Sequence, residues 1–346
     1  MAQTAFVVGD QHFKEAYIED CEAFIDACVA AVQDYSPDFI VLLGDILDKM
    51  NKVDVIPHNL ACRLIEELSE ISHVYLLIGN HDLINNSQFL TRNHIFGPLK
   101  KWDNVTVVDT VVCAEHGDRF FVFCPYVPPG RFVEALNTLD SDLPWECADC
   151  IFAHQEFHGC KMGAAVSEVG DMWCEDHPPV ISGHIHDAQI VKNVYYPGSS
   201  IQHAYGDTAA KYVWFVTFDS SDDHGFVVEK IDLKVRGKKL ICIDIEEIGK
   251  FNIEDAQKHN VKLRIRGTKE QIKLFKKSKL CTEIRKVVKT LDFAPVTSGA
   301  DDPDGVAKSE RRVRTHEEIL RELVCNTKSS LIAKAYNQLG YTQVNL

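Results

Sequence analysis

The sequence contains no uninterrupted apolar stretch of the roughly 18 residues that a membrane-spanning helix requires. Its residues 1–4 lead directly into a predicted strand, so no signal peptide is expected. It also lacks the Gly-x-x-x-x-Gly-Lys pattern of a phosphate-binding loop. We therefore expect a protein with no membrane segment, and any dependence on ATP must come from another chain.

The spacing of a disulfide framework is also missing, although the chain has 12 cysteines among its 346 residues. Several cysteines lie in apolar, core-like stretches: Cys28, Cys62, Cys124 and Cys242. Such residues are typical of reduced thiols packed as small apolar groups. The single pair Cys147 and Cys150 has no second pair to complete a zinc site, which favours a chance pairing. These features predict a soluble, intracellular protein of the cytoplasm, nucleoid or nucleus, virus- or phage-infected cells included.

The chain has few basic residues relative to acidic ones: 37 Lys and Arg against 51 Asp and Glu give a net charge of −14. The acidic excess lies in residues 1–228, which carry 12 basic and 34 acidic side chains. Residues 229–290 instead carry 18 basic and 9 acidic side chains. A basic excess is commonly a solvated surface, but it can also form a contact surface for a phosphate backbone. The sequence leaves both interpretations open.

Five polar blocks each follow an apolar run that predicts a buried strand, at residues 4–8, 39–43, 74–78, 150–153 and 180–181. The blocks are Asp10-Gln11-His12, Gly44-Asp45-Ile46-Leu47-Asp48, Gly79-Asn80-His81-Asp82, His154 and Gly183-His184-Ile185-His186. Ligands in open α/β sheets bind beyond the carboxyl ends of the strands, so we expect these blocks to meet. Together they supply carboxylates, imidazoles and one amide, which is the ligand set of a two-metal hydrolase. This mixture suits Mn, Fe or Zn and is too rich in nitrogen for Ca.

Spacing within the blocks predicts how they bind. Asp10 and His12 are two residues apart, which places both side chains on one side of an extended segment, and His184 and His186 repeat this spacing. His81 is predicted not to be a ligand but the imidazole that protonates the leaving oxygen or stabilises the charged transition state, oriented by Asp82. A hydroxide bridging the two metals is the expected nucleophile. Asp-x-His or His-x-His alone is usually structural, but five blocks in order are not a chance match.

In this order the blocks resemble those of the calcineurin-like metallophosphoesterase superfamily, over residues 4–207. The resemblance implies an α/β fold, a four-layer αββα sandwich of two sheets flanked by helices. It implies two divalent metal ions, most commonly Mn, and a transition-state role for His81. The ligands that it implies are Asp10, His12, Asp45, Asn80, His154, His184 and His186.

Other segments indicate the branch of this superfamily. Protein phosphatases continue the second block with Arg-Gly, whereas Lys49 and Met50 follow Asp48 here. The pair His154-Gln155 with His158-Gly159, and the segment 196–207 containing His203, are similar to the SbcD and meiotic-recombination nucleases. Those cellular nucleases have a longer gap between the two His pairs and usually a histidine at the position of Asp48, so the shorter spacing is closer to phage and large-virus members. We expect Asp48, His158 and His203 to contact substrate.

Residues 229–293 are predicted to form a small basic α+β domain, with a strand at 261–265, a helix at 268–279 and a strand at 283–288. It resembles the DNA-capping domain of the SbcD-like nucleases, the alternative being an extension without a substrate role. A linker is predicted at 294–312 and a C-terminal helical tail at 313–346. The resemblance implies that this tail docks on an SbcC-type ABC ATPase and that the first helices form a homodimer. Packing of the tail on its own chain is the common alternative.

Three functions are compatible with these features. The first is a metal-dependent DNA exo- or endonuclease of repair or recombination, with DNA as its partner. The second is a nucleotide or small-molecule phosphodiesterase, which would not need residues 229–346. The third is a scaffold with a vestigial metal site. The complete ligand set argues against the third, and the basic unit and tail favour the first.

Overall fold

A computed structural model of the chain describes residues 2–219 and 225–296, together with the single residues 321, 324, 336 and 337. In these parts of the chain the strands are β1 Gln3–Val8, β2 Phe39–Leu42, β3 His73–Leu77, β4 Val105–Val108, β5 Val112–His116, β6 Arg119–Cys124, β7 Cys150–His154, β8 Lys161–Met162, β9 Ala165–Val166, β10 Val180–Gly183, β11 Gln189–Val191, β12 Val194–Tyr196, β13 Val213–Phe218, β14 Phe226–Ile231, β15 Lys238–Asp244, β16 Asn260–Gly267 and β17 Thr290–Pro295. The α-helices are α1 Ile18–Tyr35, α2 Val55–Ser69, α3 Phe132–Leu136, α4 Ile253–Ala256, α5 Lys269–Phe275 and α6 Lys279–Val287.

Two six-stranded sheets form the larger part of the molecule. The first has the order β14-β13-β1-β2-β3-β4, and β1 to β4 run parallel. The second has the order β11-β12-β10-β7-β6-β5, with β12, β10, β7 and β6 parallel. The parallel strands of both sheets read as continuous apolar runs because both of their faces are covered. Their carboxyl ends are therefore the edges at which polar blocks can collect.

Alternation along the strands sends side chains to opposite faces and builds three cores. Val7 and Val41 of the first sheet pack against Phe121 and Phe152 of the second, so the two sheets lie face to face. On its other face, the first sheet packs against α1 and α2. On the far face of the second sheet, α3 and the loops carrying Trp145 and Trp173 form the last layer. The four-layer arrangement of the predicted fold is confirmed.

Residues 238–295 form a smaller unit with its own core. Its sheet has the order β15-β16-β17, all parallel, and α4 to α6 pack with it. The predicted start of this unit at residue 229 is too early, because 229–231 belong to β14 of the first sheet. The predicted strand at 283–288 is wrong, because residues 283–287 belong to α6, which begins after Ser278; the side chain of Ser278 accepts a hydrogen bond from the backbone N–H of Cys281. The predicted helix at 268–279 ends early, as α5. Cys242, expected in a core, is exposed because it alternates along β15 with Ile241 and Ile243, whose side chains face the core of this unit.

Two predicted segments fall outside the described residues. These are the linker at 294–312 beyond residue 296, and the tail at 313–346 apart from four helical positions, of which Val324 and Tyr336 are buried. Within the described parts of the chain, no helix combines the length and the apolar composition needed to cross a bilayer.

Candidate metal centre

The five polar blocks converge at one edge of the two sheets. Three of them follow β1, β2 and β3, which are adjacent and parallel in the first sheet. The other two lie at the ends of β7 and β10, which are adjacent and parallel in the second sheet. Because the sheets lie face to face, the carboxyl ends of all five strands border the same space. The prediction that the blocks meet is confirmed by the structure.

One group of ligand candidates is centred on His12. Its Nε2 atom lies 3.1 Å from Nε2 of His186 and 3.5 Å from Oδ2 of Asp45. Asp10 is fully buried beside them, and its Oδ2 atom has no hydrogen-bond partner among the described residues. Two imidazole nitrogens at this distance, with a carboxylate oxygen that lacks a donor, provide the ligands for a cation.

A second group is centred on His154. Its Nε2 atom lies 3.2 Å from Oδ1 of Asn80 and 3.4 Å from Oδ2 of Asp45. Nδ1 of His184 lies 2.9 Å from the same Asn80 oxygen. Asp45, His154 and His184 each offer one ligand atom, and these atoms all lie within 4.8 Å of one another. This group has one carboxylate, one amide oxygen and two imidazoles.

Asp45 joins the two groups. Its Oδ2 atom is the one that faces both His12 and His154, whereas Oδ1 accepts a hydrogen bond of 2.8 Å from the backbone N–H of His81. The backbone hydrogen bond fixes the carboxylate so that Oδ2 lies between the two groups. Asp45 would therefore contribute a ligand oxygen to both groups if each held a cation.

Backbone carbonyls set the orientation of two rings. Nδ1 of His154 lies 2.6 Å from the carbonyl oxygen of Leu43, and Nε2 of His203 lies 2.8 Å from that of Asp10. A carbonyl oxygen only accepts, so these ring nitrogens carry the hydrogens. His154 therefore directs Nε2 toward Asn80 and Asp45, and this is the ring nitrogen that a metal would take in place of a proton.

The ligand loops use unusual backbone conformations. Four of the predicted ligands have positive φ angles: Asp10 (37°), His12 (44°), Asp45 (51°) and His184 (79°). The expectation that Asp10 and His12 lie on an extended segment is therefore wrong, although both reach the site. His184 and His186 likewise do not act as one pair, because His184 belongs to the second group and His186 to the first. Positive φ is costly for residues other than Gly and concentrates at functional sites, where the surrounding structure holds it.

Buried charges perturb the pKa values of the site. Burial would raise the pKa of Asp45, but the neighbouring His154 and His12 hold it well below its usual range. Burial would lower the pKa of His154, but the charges of Asp45 and Asp10 raise it to about 9. Burial lowers the pKa of His184 to about 3. His154 thus carries a proton between two carboxylates, and a divalent cation at the same position would take the place of that proton.

These residues fit two divalent cations. His12, His186, Asp10 and Asp45 would hold one, and Asp45, Asn80, His154 and His184 the other. Each set mixes oxygen and imidazole nitrogen, as transition metals prefer.

His81 lies at the border of the first group, with its ring centroid 4.6 Å from that of His12. Its Nδ1 atom is 2.7 Å from the carbonyl oxygen of Asp48, which orients the ring and leaves Nε2 for substrate. The expectation that Asp82 orients His81 is wrong. The Asp82 carboxylate instead accepts hydrogen bonds from the backbone N–H groups of Asp45 (2.9 Å) and Gly79 (3.0 Å), and therefore shapes the ligand loops. Burial and the Asp45 charge raise the pKa of Asp82 to about 7.

The remaining predicted contacts differ in position. His203 is part of the first group, with its ring against His12 and His186. His158 is exposed, with Nδ1 3.3 Å from the carbonyl oxygen of Glu168, and it belongs to neither group. Sequence reasoning missed Lys211, whose Nζ donates to the carbonyl oxygen of His186 at 2.6 Å. An isolated lysine in a segment without a motif does not indicate that it will hydrogen-bond the backbone of a ligand candidate.

Gly44 is required at the turn after β2. Its φ is +99°, and a Cβ there would lie 2.8 Å from both the Gly79 nitrogen and His154 Nδ1. Gly44→Ala should destabilise the protein by at least about 2 kcal/mol and weaken metal binding, because His154 must move. Thermal unfolding and metal content measure both effects. Gly249→Ala, where a Cβ meets open space, is the control, and equal stability of the two variants would contradict the prediction.

Comparison with known proteins agrees with this geometry. Residues 4–188 match the model of the calcineurin-like phosphoesterase family. The chain is 38% identical over 276 residues to "Putative phosphoesterase 244L" of Invertebrate iridescent virus 6, covering 79% of this chain and 97% of that protein. It is also 38% identical over 274 residues to "Putative phosphoesterase 078R" of Invertebrate iridescent virus 3, covering 78% of each.

Among solved structures, the chain is similar to one described as a novel archaeal phosphodiesterase, with a TM-score of 0.34 and 12% identity, covering 66% of this chain and 100% of that one. The family uses divalent metals, and the His and Asp groups described above are the candidate sites for them. The chain belongs to the calcineurin-like phosphoesterase family and is a metal-dependent phosphoesterase.

Proposed function

We propose that this phosphoesterase is a Mn²⁺-dependent DNA nuclease. The observation that carries the proposal is a group of lysines from both units of the molecule, one of which pairs with Asp48, the residue whose carbonyl orients His81. Phosphoesterase activity alone does not require such a group, whereas a nuclease must hold the phosphates on either side of the bond that it cleaves.

The residues of the site support hydrolysis of a phosphodiester. Two divalent cations, when bound, polarise the phosphoryl group and lower the pKa of water. Asp45 belongs to both proposed ligand groups, and the carbonyl of Leu43 orients the ring of His154 toward Asp45. The carbonyl of Asp48 holds the Nδ1 hydrogen of His81, so a second proton on this ring resides on Nε2, from which it can be donated to the leaving oxygen.

Three lysines surround the ring of Tyr17 and form what we call the Tyr17 cluster. The Nζ atoms of Lys238, Lys289 and Lys14 lie 4.0, 5.0 and 5.9 Å from the ring centroid. Lys238 and Lys289 come from the small basic unit, and Lys14 comes from the loop after β1. Burial, and then the charge of Lys14, lower the pKa of Lys238. A phosphate at this point would relieve the repulsion among the three cations.

The Tyr17 cluster is connected to the catalytic histidine. Nζ of Lys14 lies 3.0 Å from Oδ1 of Asp48, whose carbonyl oxygen in turn orients His81. Asp48, predicted to contact substrate, thus links the lysines to the catalytic ring. A strand whose phosphate lies on the metals would have a neighbouring phosphate near these lysines.

Hydrogen bonds hold the small unit against the catalytic domain close to the Tyr17 cluster. Nδ2 of Asn260 donates to Asp20 of α1 at 2.6 Å, and Nε of Arg236 donates to the same carboxylate at 3.0 Å. The backbone N–H of Lys238 donates to the side chain of Gln202, one residue before His203. These contacts support the prediction that residues 229–293 act with the catalytic domain on one substrate.

The purified full chain with Mn²⁺ should cleave end-labelled DNA, and chelation of the metal should stop the reaction. Single- and double-stranded DNA and bis-p-nitrophenyl phosphate are incubated in parallel, and the ladder of products separates exonuclease from endonuclease action. Turnover of the small diester with both DNAs intact would overturn the proposal and favour a nucleotide phosphodiesterase.

Lys289→Gln tests whether the Tyr17 cluster contacts DNA. DNA affinity is measured by fluorescence anisotropy without Mn²⁺ at several salt concentrations. Loss of one phosphate contact should lower the slope of log affinity against log salt by about 0.7 to 0.9. Lys286→Gln removes the same charge from α6 outside the Tyr17 cluster and should leave the slope unchanged. Equal slopes for both variants would remove the Tyr17 cluster from the DNA path.

A further inference from the structure

A cavity of about 420 Å³ opens beside His81, and no residue of the Tyr17 cluster lines it. The loops after β2 and β3 and the segment 92–95 form its wall. Its volume is within the range of small-molecule sites in proteins. His81 lines the cavity and also lies against His12, so it stands between the cavity and the residues that would hold the first metal.

Three cations and one carboxylate, Asp82, lie among the polar residues that line this cavity. Lys49, Lys52 and Arg92 line it, together with the amides of Asn51 and Asn93. Lys49 and Lys52 both pair with Asp54, at 2.5 and 3.2 Å. Arg92 is exposed, and no carboxylate of a described residue lies within 4.0 Å of its guanidinium. Among the described cations of the cavity, Arg92 is therefore the one whose charge is not already balanced.

Apolar side chains complete the wall. Val53 is 51% exposed and Ile84 is 44% exposed, so both offer apolar surface to a planar group. The two asparagine amides provide donors and acceptors for the edge of such a group. A flat apolar body with polar edges and an attached anion is the chemistry of a nucleotide.

We propose that this cavity binds the nucleotide on the leaving side of the scissile bond, with Arg92 contacting the next phosphate. His81 is the group that serves the leaving oxygen, so the part of the substrate that departs with this oxygen lies on the His81 side. Arginine binds phosphate through two parallel N–H groups and retains its charge, which suits a fixed contact. The assignment rests on the proposed nuclease function and adds a specificity-determining residue to it.

The test compares ligands that carry one or two phosphates. Thymidine 3′,5′-bisphosphate is titrated into the Mn²⁺-loaded full chain by calorimetry, beside thymidine 3′-monophosphate and thymidine 5′-monophosphate. One phosphate occupies the metals in every case, so only the bisphosphate can also reach Arg92. The bisphosphate should bind about tenfold more tightly than either monophosphate, as expected for one charge-assisted contact.

Three variants assign this difference. Arg92→Gln should reduce the advantage of the bisphosphate to within about twofold, and Arg92→Lys should keep part of it because a point charge remains. Lys101→Gln removes an equal charge from an exposed position outside the cavity and should keep the full advantage. Equal affinity of the wild type for all three ligands, or an advantage that survives in Arg92→Gln, would overturn the assignment.

The outcome is separable from that of the DNA assay. A bisphosphate advantage that depends on Arg92, in a chain that leaves DNA intact, would keep the cavity as a nucleotide site and overturn only the nuclease proposal. DNA cleavage by a chain without the advantage would overturn only the cavity.

Discussion

Replacing His81 by alanine should lower kcat for a phosphodiester with an unactivated leaving group, such as a thymidine dinucleotide, by about 10²- to 10⁴-fold, the usual contribution of a positioned general acid. The ring is held by the carbonyl of Asp48 at 2.7 Å and lies against His12, at the border between the metals and the cavity. Its removal takes away the proton donor but no member of the two proposed ligand sets. The variant should therefore bind two equivalents of Mn²⁺, measured by calorimetry alongside steady-state kinetics.

The structure offers an alternative that this experiment separates. His12, Asp45 and His81 also bring ligand atoms within 4.8 Å of one another, so His81 could itself hold a metal. Loss of one equivalent of Mn²⁺ in His81→Ala would show that it is a ligand. His259→Ala, in the small unit and remote from both ligand groups, is the matched control and should change neither quantity.

The positions of the candidate metal ligands could be predicted from the sequence because two simple rules coincide. Apolar runs such as 39–43 predict parallel strands buried on both faces, and polar residues directly after them lie at the carboxyl edge. The order of residues along the chain is therefore enough to place Asp45, Asn80 and His154 at this edge, without information on which strands pair.

The division of ligands between the two groups could not be predicted in this way. Neighbouring residues His184 and His186 go to different groups because His184 has a φ of +79°, which turns the backbone between them. The conformation is imposed from outside, since the backbone N–H of His184 donates to Oδ1 of Asp10, 174 residues away. Spacing alone predicts that both histidines lie on the same side of the segment.

Supporting residues were harder still to predict. Asp82 was expected to orient its neighbour His81, but its carboxylate binds backbone N–H groups of two loops. Arg92 lies in no motif, and only the folded structure shows that it lines the same cavity as His81. The strand predicted at 283–288 failed because Val287 and Val288 favour strands locally, whereas burial of Cys281 and Ile284 on one face stabilises α6.

Asp45→Asn should have the largest effect on metal binding, because one side chain serves both groups. Its Oδ2 atom lies 3.5 Å from Nε2 of His12 and 3.4 Å from Nε2 of His154. Asparagine is the informative substitution, since Asp45 has a φ of +51° and asparagine tolerates this left-handed conformation without a new strain. It keeps the shape of the side chain and an oxygen for the backbone N–H of His81, but removes the negative charge.

We expect the affinity for both equivalents of Mn²⁺ to fall at least about 100-fold, and phosphodiester hydrolysis about 10³-fold, measured by calorimetry and kinetics. Asp10→Asn is the matched comparison, because Asp10 also has a positive φ, of 37°, but would hold only the first metal together with His12 and His186. It should weaken one equivalent and spare the other. If Asp45→Asn also kept one equivalent at the affinity of the wild type, Asp45 would belong to a single site. Another residue would then have to connect the two metals. Asp10 is the other carboxylate of the two groups, and its Oδ1 atom approaches His154 of the second group only to 3.9 Å, from Nδ1.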